Sequence, residues 1–259
     1  MFDLARLSHE KEKILESTIS SNAFYMIVGS ALLNRAQLSV VRMADGEHHL
    51  MEEILENGRD EKWLREPIKG YDDDWMERMG CAGISRSTLL GRLNEAANEC
   101  DYFAPSLSGI NRLEYSVHEF FRSRSRFVDN FFVNAWTDEM KIKLYKAAGH
   151  VLFIHRNPNS ARALTLRLKY VLEVKVSYLQ LSKWQEAEDV VSKAAAIDAP
   201  LVIFSAGPAS KIIGPRIARQ HKVTLDLGHA SDSWLLEKLH KEALEIQAEQ
   251  SSQEMQHVG

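Results

Sequence analysis

The sequence predicts a single α/β domain in which a mostly parallel sheet is covered by helices on both faces. Three observations lead there. Apolar strand-like runs alternate with longer segments of helical periodicity. Most of those runs are uninterrupted rather than alternating, as strands buried on both faces should be. Finally, 259 residues with no fixed-period repeat, proline-rich linker or low-complexity block give no boundary at which to divide the chain.

The elements follow in order. A long N-terminal helix is expected over about residues 8–35, ahead of the strand "LSVVRM" from Leu38. "EHHLMEEILENG" reads as the next helix, and "RDEKWLREPIKGYDDDWMERMG", the least regular stretch, as an insertion or a lid, with Asp72 to Asp74 as a charged loop beside a helix start. "SRSTLLGRLNEAANEC" reads as a helix starting near Ser85, and "YFAPS" and "NFFVNAW" as strands from Tyr102 and Asn130. Thr137 caps a helix that closes at Gly149 and leads into the strand "HVLFIH". "VLEVKV" from Val171 is the next expected strand, and Ser182 the cap of the helix behind it. The last strands are "PLVIFSA" and "KVTLDL", followed by a helix after Ser233 with Leu235, Leu239, Ala243 and Ile246 on its apolar face. A polar tail, about 248–259, is expected to fray.

Composition limits the function classes. A net charge of -4 offers no overall attraction to polyanions, so no nucleic-acid partner is expected. The "RSRSRF" stretch, with Arg122, Arg124 and Arg126, reads as a solvated turn first and a contact for an anionic acceptor or membrane surface second. Cys81 and Cys100 form no CxxC pair and suggest reduced thiols without a nucleophilic role. The N-terminus lacks a signal-peptide pattern, and "AFYMIVGSALL" is too short to span a bilayer. A cytoplasmic protein, free or resting against a membrane, is expected, and a homo-oligomer is allowed.

In open α/β sheets ligands bind at the carboxyl ends of the strands, and three such ends carry chemistry. After the first strand, "SVVRMADGEHHL" brings Arg42, Asp45, Gly46, Glu47 and His48 together. Gly46 allows the turn that would let both carboxylates face one ligand. Two hard carboxylates suit Mg²⁺ or Mn²⁺, which can neutralise a diphosphate, and a guanidinium can pair with the same phosphates. Equally, Asp45 and Glu47 can simply cap the following helix. In "LVIFSAGPASKIIGPRIARQ", Ser205, Gly207, Pro208, Ala209 and Ser210 form a small-residue junction where a helix start could meet an anion, or an ordinary tight connection. It is neither a GxGxxG nor a GxxxxGK[ST] motif. In "VTLDLGHASDSW", Asp226, Gly228, His229 and Asp232 end the last strand; His229 could bind a phosphate or move a proton, or be structural, and Asp232 could cap.

Taken together, these stretches resemble the bacterial GT-D-type glycosyltransferases, formerly a domain of unknown function. "RMADGE" from Arg42 to Glu47 resembles the family's R-F-G-D-G-E segment, "AGPAS" from Ala206 its GPTA segment, and "DLGH" from Asp226 its D-I-G-H segment. The match lies at the two ends of the chain. The resemblance implies a Rossmann-like fold and transfer of a sugar from a nucleotide-diphosphate-sugar donor, a UDP-sugar first, to a glycan or glycoconjugate acceptor. It further implies that Asp45 and Glu47 form the D-x-E metal and diphosphate motif, and that His229 and the GPAS backbone belong to the donor site. In this reading Arg42 assists at the diphosphate, and His229, Asp232 or His48 takes the acceptor proton if a base is needed. A glycan-assembly role follows from the family.

His155 and Arg156, with Asn157 and Asn159, follow "FIH" and could bind the donor or cap the next helix. Trp136 could stack on a sugar or fill the core. Two other classes stay open on the residues alone. One is a metal-dependent phosphoesterase using Asp45, Glu47 and His48, and the other is a non-catalytic nucleotide- or sugar-binding module.

Overall fold

The computed structural model describes residues 16–43, Glu47, 73–105 and 126–257, with side chains for all of these except residues 73–75, 229 and 252–257. Asp45, Gly46, His48, Asp72, Arg122 and Arg124 lie outside the described residues, as does most of the stretch expected to form a lid.

Eight strands form one sheet in the order β1-β4-β3-β2-β8-β7-β5-β6, with every neighbouring pair parallel. The strands are β1 (Thr18–Ile19), β2 (Leu38–Arg42), β3 (Tyr102–Ala104), β4 (Arg126–Val128), β5 (His150–His155), β6 (Lys175–Gln180), β7 (Leu201–Ser205) and β8 (Val223–Asp226). The α/β expectation therefore holds, with a sheet that is parallel throughout. The described helices are α1 (Ser21–Leu33), α2 (Asp73–Arg78), α3 (Arg86–Glu99), α4 (Phe132–Ala135), α5 (Asp138–Ala148), α6 (Pro158–Leu172), α7 (Ala187–Ala196), α8 (Pro208–Ala218) and α9 (His240–His257).

Alternate residues of each strand feed opposite cores. Val151, Phe153, Leu201 and Ile203 face the layer that includes α1, α5 and α6. Leu152, Ile154, Val202 and Phe204 face α7 and α8, while Val41, Phe103 and Phe127 face α3. Each such side chain contributes roughly 1.5–3 kcal/mol on burial, which is why these runs carry no polar alternation. Around Phe24 an aromatic cluster brings in Phe132, Trp136 and Trp234, with Trp136 and Trp234 centroids 5.5 Å apart. Trp136 is buried there, its indole N–H donating to the Ser21 carbonyl at 3.1 Å. It fills the core.

Several boundaries differ from expectation. Among the described residues ahead of β2, 16–17 are helical, a short edge strand, β1, interrupts the expected helix, and the thirteen-residue α1 follows with Ser20 as its cap. "NFFVNAW" is not a strand: β4 precedes it, and Phe132, Val133 and Trp136 take the spacing of a helical turn. β6 begins at Lys175 because Val171 and Leu172 end α6, which Glu173 closes in a left-handed conformation. The helix behind β6 opens with a 3-10 turn, Trp184–Glu186, and the Glu186 carboxylate accepts from the N–H groups of Ser182 and Lys183, so Ser182 is not the cap. No helix starts directly after Ser233: 3-10 turns run over Gly228–Trp234 and Glu237–Leu239, with Leu236 between them at positive φ, and α9 starts at His240. Its backbone is helical to His257, through residues whose polarity suggests fraying. Ser85, Thr137 and Gly149 cap where expected. Among the described residues no helix is long and apolar enough to cross a membrane.

Candidate functional site

β1 to β4 occupy one half of the sheet and β5 to β8 the other, and the halves meet only where β2 pairs with β8. The carboxyl ends of parallel strands are where open α/β sheets bind ligands, and those of β2 and β8 lie side by side at that seam. β2 ends in Arg42, β8 in Asp226, β7 in Ser205 and β5 in His155, so four adjacent strands present polar side chains to one edge.

The centre of this edge is a buried charge cluster. Lys211, one turn into α8, lies with its Nζ 3.1 Å from Asp226 Oδ2 and 3.4 Å from Glu47 Oε1. All three side chains are at most 5% exposed. Burial alone would lower the lysine's affinity for its proton, but the two carboxylates outweigh it and hold the ammonium above its usual range. Arg42 is also buried. Its Nε donates to the Asn130 carbonyl at 3.1 Å and to Asn130 Oδ1 at 2.5 Å, and Nη1 donates to the Leu227 carbonyl. Desolvation pulls its pKa down, against the raising influence of Asp226, Glu47 and Asp129. The guanidinium thus ties the ends of β2 and β8 to the turn after β4.

Asp226 makes two different contacts. Oδ1 accepts from the Gly228 N–H at 3.2 Å, closing the turn. Oδ2 makes its ion pair with Lys211 and has no further hydrogen-bond partner among the described residues, although the side chain is only 2% exposed. Ser205 supports the same turn, its Oγ donating to the Gly228 carbonyl at 2.8 Å. Gly228 itself has φ +50, and a Cβ there would come within 3.4 Å of Arg42 Nη1. His229 follows in the 3-10 turn, its side chain outside the described atoms, and Asp232 is exposed at the rim. Trp234 anchors this turn by donating to the Val133 carbonyl at 2.9 Å, while its own carbonyl accepts from Tyr145 Oη at 2.8 Å.

What approaches the GPAS junction is polypeptide. Pro208, Ala209 and Ser210 are buried, and a Cβ on Gly207 would lie 3.0 Å from the Met79 carbonyl oxygen. The Ser210 hydroxyl turns back onto the Gly207 carbonyl at 2.6 Å. The segment after α2 is fastened over the sheet edge: the Trp184 N–H donates to the Gly80 carbonyl at 2.7 Å, and Arg156 donates to the carbonyls of Arg78 and Ser182. Arg156 therefore serves as a clamp on this covering loop. His155 accepts from the Asn157 N–H at Nδ1, 2.7 Å, which leaves the proton on Nε2, 3.4 Å from Ser231 Oγ. Burial lowers its pKa, so the ring is neutral. Asn157 caps α6 through its side chain. Burial, with help from Glu47, pushes the Cys81 thiol up to about 12, and it is inert.

The structure thus brings Arg42, Glu47, Ser205, Asp226 and Gly228 together and sets His155, Arg156 and Asp232 around them. The residue that sequence reasoning missed is Lys211. A lysine early in a helix ordinarily points to water, and the signal against this lay in its neighbours, since Ala209, Ile212 and Ile213 leave "PASKIIGP" no solvent face.

A divalent cation fits the donor chemistry of this point: Glu47 and Asp226 supply hard oxygens that converge on one cation, here the Lys211 ammonium, and Asp226 Oδ2 has no further hydrogen-bond partner among the described residues. Among the described residues no group of three or more acidic, histidine or cysteine side chains gathers in metal-binding geometry.

Residues 115–234 match the family model of a GT-D fold-like domain. That stretch contains β4 to β8, Lys211 and Asp226, and stops short of the Arg42 to Glu47 segment. No curated protein and no solved structure matches the chain.

Proposed function

We propose that this chain, which the match over residues 115–234 assigns to the GT-D-type family, is a glycosyltransferase that moves a sugar from a nucleotide-diphosphate-sugar donor, a UDP-sugar first, to a glycan or glycoconjugate acceptor. The observation that carries the reading is the buried cluster of Arg42, Glu47, Lys211 and Asp226 at the carboxyl ends of β2 and β8. A charged set placed there is suited to a ligand that is itself highly charged, and a nucleoside diphosphate is such a ligand.

Transfer breaks the bond between the sugar and the β-phosphate, and negative charge grows on the leaving diphosphate. Arg42 and Lys211 are fixed by their partners before the reaction begins, so their field favours the transition state over the ground state without reorganising. Asp45 and Glu47 would hold a Mn²⁺ or Mg²⁺ ion, which when bound would withdraw charge from the same phosphates. Asp226 orients Lys211 and, through the Gly228 N–H, shapes the turn that carries His229. His229 or the exposed Asp232 would take the proton of an acceptor hydroxyl if a base is needed.

The test is calorimetric titration of UDP, GDP and CDP, with Mn²⁺ and with EDTA, into the wild type and an Asp45→Ala, Glu47→Ala double variant. Metal-dependent binding of one nucleotide that the double variant loses supports the reading, and donor turnover assays then identify the sugar. Failure of all three to bind, or equal binding by the variant, overturns it.

A further inference from the structure

Among the described residues, the charges of this cluster balance before any ligand arrives. Arg42 and Lys211 face Glu47 and Asp226, one cation for each carboxylate, and all four are buried. Arg42 is held by carbonyls and by Asn130, whereas the contacts of Lys211 Nζ among the described residues are ion pairs with the two carboxylates. Asp226 Oδ2, buried and without a further hydrogen bond among the described residues, points to the same spot.

We propose that Lys211 is a resident cation of this site: it holds Glu47 and Asp226 in place with no metal present, and it makes binding of a divalent cation conditional on a diphosphate. The second half rests on the nucleotide-sugar reading. A dication entering alone would bring two positive charges beside an ammonium already 3.1 and 3.4 Å from the available carboxylate oxygens. Like charges that close in a dry site repel strongly. A nucleoside diphosphate carries negative charge that the four described groups, neutral together, do not supply. Metal and diphosphate therefore raise each other's affinity, and the coupling is reciprocal. With the ammonium removed, the cluster is left with a net negative charge and accepts the ion unaided.

The experiment measures Mn²⁺ binding to the full chain, from the electron paramagnetic resonance signal of free Mn²⁺, with and without UDP. The wild type, Lys211→Met, Lys211→Gln and Lys211→Arg are compared. UDP is expected to raise the wild-type Mn²⁺ affinity by roughly tenfold or more. Without UDP, Lys211→Met is expected to bind Mn²⁺ roughly tenfold more tightly than the wild type, and to respond little to UDP. Lys211→Arg is expected to keep the wild-type pattern. Lys211→Gln, which retains a hydrogen-bond donor, replaces the methionine variant if that one does not fold. Equal Mn²⁺ affinity in the wild type and the folded neutral variant overturns the proposal. So does a wild-type protein that binds UDP but takes up Mn²⁺ equally well with and without it. If UDP does not bind under any condition, the donor reading fails, and the neutral variant's Mn²⁺ affinity still decides whether Lys211 excludes the ion.

Discussion

Asn130 fixes Arg42 from two directions at once: its backbone carbonyl and its side-chain oxygen both accept from the guanidinium Nε, while its Nδ2 donates to the Met43 carbonyl at 2.9 Å. One asparagine after β4 thus sets both the side chain that ends β2 and the backbone beyond it. Asn130→Ala takes the side-chain acceptor from Arg42, which keeps the backbone carbonyls of residue 130 and Leu227, and takes the donor from the Met43 carbonyl. It is expected to cost about 1–3 kcal/mol, seen as a lower urea midpoint at unchanged slope, and, on the proposed donor reading, to weaken nucleotide binding as Arg42 is held less firmly. An unchanged midpoint would show that Arg42 is held without Asn130.

Gly207 and Gly149 separate conformation from crowding. Both have positive φ, but a Cβ on Gly149 meets nothing within 4 Å, whereas one on Gly207 meets the Met79 carbonyl at 3.0 Å. Gly207 also lies at φ 69, ψ -157, a region open to glycine almost alone. Gly207→Ala is expected to cost about 2–3 kcal/mol and Gly149→Ala about 1 kcal/mol by chemical denaturation. Equal costs would mean that the loop at Met79 moves aside freely.

Tyr145 braces the turn that carries Asp232 from a distance. Tyr145→Phe removes the hydrogen bond to the Trp234 carbonyl and leaves that oxygen buried. The expected loss is about 1 kcal/mol, read as a lower Tm by calorimetry.

Acid should destabilise the fold through its neutral histidines. Burial lowers the pKa of both His155 and His150 below the usual histidine value. Below about pH 6.5 the unfolded chain takes up protons that the folded chain refuses. Their contribution is therefore complete above that pH and is lost as the pH falls through the folded-state values. Tm is expected to drop between pH 7 and pH 5. A His150→Gln, His155→Gln variant is expected to start lower and fall less steeply, and a parallel decline would place the acid sensitivity elsewhere.

Legibility in the sequence followed physical cause. β5 and β7 sit mid-sheet with both faces buried and unbroken apolar runs, and β2 and β8 beside them are buried throughout although Ser39 and Thr224 interrupt theirs. β1 and β4 have two and three residues, too few for any pattern, and the aromatic run beside β4 reads as a strand while packing as a helical turn around Phe24 and Trp136. Of the site, Arg42, Glu47, Asp226 and Gly228 were visible because strand ends concentrate polar residues. Lys211 was hidden because its partners lie about 164 residues before it and 15 after it, a relation only the folded sheet reveals.

The β2–β8 seam also has a consequence for biosynthesis. Its register joins Leu38 to Val223 and Val40 to Leu225, so a ribosome must deliver nearly the whole described chain before the sheet's middle can close. The strand made last is inserted between β2 and β7 rather than added at an edge. Closing so long a loop is slow, and until it closes β2 offers an open apolar border to other nascent chains. Arg42 and Glu47 on one side of the seam meet Lys211 and Asp226 on the other only at that final step, so a partly synthesised chain leaves the charges of either side uncompensated.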